Sequence, residues 1–158
     1  SAPNGRRCSL YNTTWMFSWA VKERKMLDNV QRHEVFLLRL LAKLYSAHPR
    51  AIEVHHATLR VESTSGDLIG GISDEEAHGA IVWAYRNDLI HGSLDNGGSI
   101  GGPPRAIVFD GQLSPRSLRV LSDERNSFNR KFGDEIVEAA ATEREPAMAR
   151  KLFGKLFP

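Results

Sequence analysis

Hydrophobic residues dominate the stretch from Arg32 to His48 and leave only a narrow polar stripe. Their spacing follows the 3.6-residue period of an α-helix. Pro49 cannot continue such a helix, so the pattern predicts a long helix, buried on almost every side, that ends near Ala47 or His48. The hydrophobic residues of this stretch are Val35, Phe36, Leu37, Leu38, Leu40, Leu41, Leu44 and Tyr45.

Four basic residues of this segment fall along one line when each residue is advanced by about 100°. This line predicts a basic ridge on the polar stripe, where Lys and Arg can contact phosphate groups. The alternative is an ordinary solvated helix face. The four residues are Arg32, Arg39, Lys43 and Arg50.

A capping motif predicts a second helix. Ser73 lies three positions before Glu76, so its side chain can accept from the Glu76 amide while the Glu76 carboxylate reaches back. The helix is expected to begin at Asp74 and to end at Asn87 or Asp88. Its inward face is expected to hold His78, Ile81, Val82, Tyr85 and Leu89.

Trp83 projects away from that inward face, on the same side as Ala80. An outward Trp is either covered by another element or presented to a partner. The C-terminal helices and an N-terminal arm that carries Trp15 and Trp19 are both available as cover. If a protein partner binds instead, these four residues are the candidates for contacting it.

A β-hairpin is predicted after the capped helix. The short runs Leu89–Asp95 and Arg105–Phe109 flank a Gly-rich stretch, and Asp110-Gly111 is expected to turn out of the second strand. Before the capped helix, residues 51–72 fit a short helix, a strand, or one after the other, with a loop over 63–71.

Three further helical pieces are expected after the hairpin. Ser114 is placed to cap a helix that opens at Pro115 and is anchored by Leu118 and Leu121. Asp134 is expected to cap the next helix. The last helix begins at Pro146 and is basic and amphipathic, so it either lies on an anionic membrane or docks on this protein or a second copy.

Composition favours one folded domain with appended pieces. The chain has 158 residues, of which 41% are hydrophobic and 25% charged, values typical of a globular domain. The single cysteine, Cys8, excludes an internal disulfide. No run approaches the roughly 18 apolar residues of a membrane-spanning helix. We expect a soluble cytoplasmic protein with an arm over 1–31, a domain over 32–125 and a helical extension over 126–158.

The charge is segregated along the chain. Residues 1–50 carry nine Lys and Arg against three Asp and Glu, residues 51–100 carry two against eight, and residues 101–158 carry ten against eight. A surface that binds phosphates needs clustered cations, so DNA contacts would have to avoid the acidic middle third or neutralise its charge.

No pattern for catalysis or metal binding occurs. His55 and His56 are adjacent, so on one helix or strand they would point in different directions, and no His-Glu-x-x-His or Cys/His spacing is present. The glycines of residues 97–102 precede a strand, not a helix, so they do not form a phosphate-binding loop. We expect no enzyme activity, no catalytic residues, no metal, no cofactor and no small-molecule substrate, and we expect His78 to be a hydrogen-bonded, partly buried histidine.

The order of these elements resembles a winged helix-turn-helix. The stretch from Ile72 to Gly92, ISDEEAHGAIVWAYRNDLIHG, is similar to a recognition helix that leads into a wing, and GQLSPRSLRVL, residues 111–121, is similar to the closing strand and helix. Together they look most like small bacterial and prophage winged-helix families such as the YjcQ-like proteins. The resemblance implies an α+β fold, mainly α with a small β-hairpin, and a role in regulating transcription.

Two functions follow as hypotheses. The first is binding of duplex DNA by a homodimer, with contacts from Arg86 and Asn87, from Arg105 on the wing, and from the basic ridge. Three carboxylates at the start of the predicted recognition helix oppose the approach of a polyanion. The second is protein interaction or dimerisation through Trp83 and its neighbours.

Overall fold

The computed structural model describes residues 27–59, 72–97, 105–123, 125–140 and 142–158. The N-terminal arm with Trp15 and Trp19, the loop predicted over 63–71 and the tip of the hairpin at 98–104 lie outside these ranges. The fold is α+β. Its main elements are α1 (Asn29–Ala47), β1 (Ile52–His55), α2 (Asp74–Arg86), β2 (Ile90–Asp95), β3 (Ile107–Leu113), α3 (Pro115–Asp123), α4 (Phe132–Ala139) and α5 (Glu145–Leu156). Residues 56–59 form an additional helical turn.

Helix α1 is the centre of the fold. It begins three residues earlier than predicted because Asp28 and Gln31 form a capping box: the Gln31 amide donates to the Asp28 carboxylate at 2.8 Å, and the Asp28 amide donates to the Gln31 side chain at 3.0 Å. It ends at Ala47, as Pro49 predicts. Its residues from Glu34 to Ala42 are all buried, which confirms a helix covered on almost every side.

The three strands form an antiparallel sheet in the order β1-β3-β2. The two strands of the predicted hairpin, β2 and β3, are therefore confirmed. The region after α1 is a strand followed by a helical turn. The expected turn at Asp110-Gly111 is wrong: β3 continues to Leu113, and Asp110 adopts a positive φ of 52° within it. The pairing of β2 with β3 shifts register between His91 and Ser93, which indicates a β-bulge.

Helix α2 packs on α1. Its buried residues are Ala77, Ala80, Ile81, Val82 and Ala84. The predicted inward face is correct for Ile81, Val82 and Leu89. It is wrong for Tyr85, which is 37% exposed, because the buried face is centred on the alanines and not on the larger residues.

The C-terminal helices share the same core. Ser114 caps α3, since the Ser117 amide donates to its hydroxyl at 3.1 Å, which confirms the predicted cap. Asp134 lies inside the first turn of α4 and is not its N-cap, a position held by Lys131. Helix α5 buries Ala149, Leu152 and Leu156 and packs along α1, so it docks on its own chain. None of the described helices is long and apolar enough to cross a membrane.

Candidate nucleic-acid interface

A cleft of about 390 Å³ lies where the exposed side of α2 meets the hairpin. Two predicted contact residues, Arg86 and Asn87, line it at the end of α2, and the hairpin contributes Asn96 at the end of β2. Asn96 was missed from the sequence because it is one polar residue at the start of a Gly-rich stretch. The remaining lining residues are His78, Gly79, Val82 and Trp83.

Arg105 stands beside this cleft on the hairpin. Its Nε donates to the Gly97 carbonyl at 3.0 Å, and its Nη2 donates to the Asp95 carboxylate at 3.2 Å. These bonds hold the guanidinium next to Asn96 with 54% of the side chain exposed. The structure thus brings three predicted DNA-contact residues to one region.

Asn87 is the best-anchored residue of the three. Its side-chain amide donates to the Trp83 carbonyl at 2.9 Å, and its own carbonyl accepts from Arg116 of α3 at 2.9 Å. It therefore ends α2 and fixes the position of Arg86 next to it. Arg86 itself is exposed to solvent.

Two of the three carboxylates at the start of α2 are engaged within the protein. Asp74 accepts from His56 Nε2 at 3.1 Å; the His56 Nδ1 accepts from the Ala106 amide, so the ring proton is on Nε2. Glu76 accepts from Arg32 at 3.0 and 3.4 Å. Half of the predicted capping box is confirmed, because the Glu76 amide donates to Ser73, but the Glu76 carboxylate reaches Arg32.

The predicted basic ridge does not exist as a continuous surface. Arg39 is only 8% exposed because α5 covers this side of α1, and it forms a bidentate ion pair with Glu145. Arg32 is paired with Glu76, and Lys43 is half-buried. Arg50 is exposed but lies beyond the end of α1. None of these four residues lines the cleft.

Trp83 is half-buried in an aromatic cluster. Its ring centroid lies 5.0 Å from that of His33 on α1, 6.0 Å from that of Phe153 on α5 and 5.6 Å from that of Phe157. The C-terminal helix α5 therefore packs against Trp83, as one of the predicted alternatives has it. Ala80 is wrong as a partner contact because only 1% of it is exposed.

The histidines show no metal site. His55 and His56 stand where β1 passes into the helical turn, so their rings stack at 5.2 Å, contrary to the expectation from a single helix or strand. The His78 ring meets His56 edge-on at 5.8 Å, and its buried Nε2 has no hydrogen-bond partner among the described residues, so the prediction of a hydrogen-bonded histidine is wrong. Within the described ranges no three His, Cys, Asp or Glu side chains are grouped to hold a metal ion.

Neither a scan against models of known protein families nor searches of curated proteins and of solved structures found a match to this chain.

Proposed function

We propose that this protein is a winged-helix DNA-binding protein that contacts duplex DNA with the end of α2 and with the β2-β3 hairpin. The observation that carries the proposal is the cleft in which Arg86, Asn87 and Asn96 come together beside Arg105. The order of elements supports it: a helix, a short strand with a helical turn, a capped helix, a hairpin and a closing helix follow one another as in a winged helix-turn-helix.

The chemistry of the cleft suits DNA. Arg86 can bond two acceptors on guanine in the major groove, and the side-chain amide of Asn96 can bond adenine, whereas that of Asn87 already donates to the Trp83 carbonyl. Arg105, outside the cleft, is suited to a phosphate contact once its bond to Asp95 is exchanged for one to DNA. The objection from the acidic start of α2 is weakened, because Asp74 and Glu76 already have cationic or hydrogen-bonding partners in the protein.

The test is fluorescence anisotropy with labelled duplex DNA at several salt concentrations. We expect micromolar or tighter binding whose logarithm falls linearly with the logarithm of the salt concentration. Arg86→Ala should weaken binding by about 1–3 kcal/mol, and Arg105→Ala should reduce that slope by about one. The matched control is Arg130→Ala, which removes the same charge from the loop before α4. Flat anisotropy at low salt would remove the proposal.

Protein interaction is the second proposed function. It is favoured by the aromatic cluster of Trp83, Phe153 and Phe157, in which Phe157 is 40% exposed and so presents apolar surface to solvent. Light scattering that shows a dimer, together with no binding to DNA, would select this function over the first.

A further inference from the structure

A long groove runs between the first half of α1 and α5, and it adjoins the cleft beside the hairpin at Trp83, which lines both. It consists of two adjoining cavities of about 520 and 480 Å³ that share Val30, Glu34 and Arg150 as lining residues. One cavity continues over the aromatic cluster to Phe157, and the other continues to Asp28 at the start of α1. The two cavities therefore form one continuous surface.

The cavity over the aromatic cluster is mainly apolar, whereas the cavity toward Asp28 is lined about equally by polar and apolar side chains. Val30 is 52% exposed, Phe157 is 40% exposed, and the rings of Trp83 and Phe153 lie between them and pack nearly parallel. The polar side chains of the groove are largely engaged with each other, since the Glu34 carboxylate accepts from Arg150 at 3.2 and 3.3 Å. Exposed aromatic and aliphatic side chains in a row are typical of a surface that another segment covers.

The described chain begins at one end of this groove. Asp28 lines the groove, and Leu27 precedes it directly, so the 26 residues before Leu27 enter the fold here. That stretch is rich in large apolar side chains, and all of them except Met26 lie within residues 10–21. Those within this range are Leu10, Tyr11, Trp15, Met16, Phe17, Trp19 and Val21.

We propose that residues 10–21 of the same chain bind in this groove. A residue spans at most about 3.3–3.6 Å of extended chain, so the eight steps of the chain from Trp19 to Leu27 are long enough to exceed the length of α5, which at 12 residues is about 18 Å. A segment tethered so closely has a high effective concentration at the groove. The cationic residues Lys22, Arg24 and Lys25 would then pass next to Asp28.

The test is site-specific photo-crosslinking in the full chain. Gly154 lines the groove, and a Cβ added to it meets no atom within 4 Å, so p-benzoylphenylalanine can be placed there without displacing a neighbour. The matched control carries the same group at Val137, which is 39% exposed on α4 and does not line the groove. Mixing unlabelled and ¹⁵N-labelled chains separates crosslinks within a chain from those between chains.

We expect crosslinks from position 154 to residues 10–21 of the same chain and none from position 137. Trp15→Ser combined with Trp19→Ser should reduce these crosslinks severalfold without changing the circular dichroism spectrum. Crosslinks between labelled and unlabelled chains only, or crosslinks that avoid residues 10–21, would overturn the proposal; the first result would assign the groove to a second copy. Neither outcome depends on whether the protein binds DNA.

Discussion

The Arg39 guanidinium and the Glu145 carboxylate form a bidentate ion pair across 106 positions of the chain, with both N–O distances at 2.8 Å. Both side chains are buried, at 8% and 1% exposure. The pair joins the middle of α1 to the first residue of α5. Because a charge in the interior is stable only with its partner, this contact makes the position of α5 on α1 specific.

Removal of one partner of this pair should be costly. Glu145→Ala removes the carboxylate that forms the bidentate pair with the buried Arg39, so we expect the free energy of unfolding to fall by about 3–5 kcal/mol. Urea unfolding followed by circular dichroism measures this. Replacing both residues with Met should recover part of the loss. Glu138→Ala, which breaks an exposed pair with Arg130, is the control and should leave the unfolding midpoint near that of the parent. Equal effects of the two Ala variants would contradict the account.

Gly92 is required by the geometry of the hairpin. Its φ is +144°, and a Cβ there would lie 2.7 Å from the Phe109 carbonyl oxygen and 2.7 Å from Val108 Cγ1. Gly92→Ala should therefore destabilise the fold by about 2 kcal/mol or more. Gly79 in α2 is the matched control: its added Cβ meets nothing within 4 Å, so Gly79→Ala should stabilise the fold by about 0.5–1 kcal/mol. Thermal unfolding of both variants measures these effects. A Gly92→Ala variant as stable as the parent would contradict the described pairing of β2 with β3.

His33 should make stability depend on pH. Burial lowers the pKa of His33, and the neighbouring Glu34 carboxylate offsets only part of this effect. As the pH falls below about 6.5, the unfolded chain therefore takes up the proton before the folded chain does, and the folded state loses stability until the pH passes below the folded pKa. The melting temperature of the parent should fall more between pH 8 and pH 5 than that of His33→Gln. Equal decreases for the two proteins would show that His33 is not the responsible group.

Glu75 should weaken DNA binding. It is exposed at the start of α2, on the side of the helix that carries Gly79 and Arg86. Glu75→Gln removes a negative charge near the bound polyanion, so we expect a severalfold gain in affinity for duplex DNA at low salt that shrinks as salt is added. Glu53→Gln on β1 removes the same charge from another exposed position and should change affinity little. An unchanged affinity for Glu75→Gln would place the DNA elsewhere.

The starts of two helices could be predicted from local signals in the sequence. Ser114-Pro115 and Ser73 each mark a helix start by a hydrogen bond within three residues, and the structure has both. The buried face of α2 was not predictable in the same way. Hydrophobic periodicity gave Tyr85 more weight than Ala77, whereas close packing against α1 selects the smaller residue.

The candidate site could be predicted only in part, because some of its features depend on elements that are distant in the chain. Arg86, Asn87 and Arg105 could be placed from the order of helix and hairpin alone. Whether Arg39 is solvated depends on which element covers it, and its cover, α5, lies over a hundred positions away. Asn96 became a candidate only through its position next to α2.

The proposed DNA-contact surface is tested most directly by NMR. ¹⁵N-labelled protein is titrated with a mixed-sequence duplex of about two helical turns, and the amide shifts are mapped onto the chain. The proposed function predicts that the amides of residues 86–97 and 105–109 shift together while those of α4 do not. Shifts confined to the groove between α1 and α5, or no shifts at low salt, would contradict it.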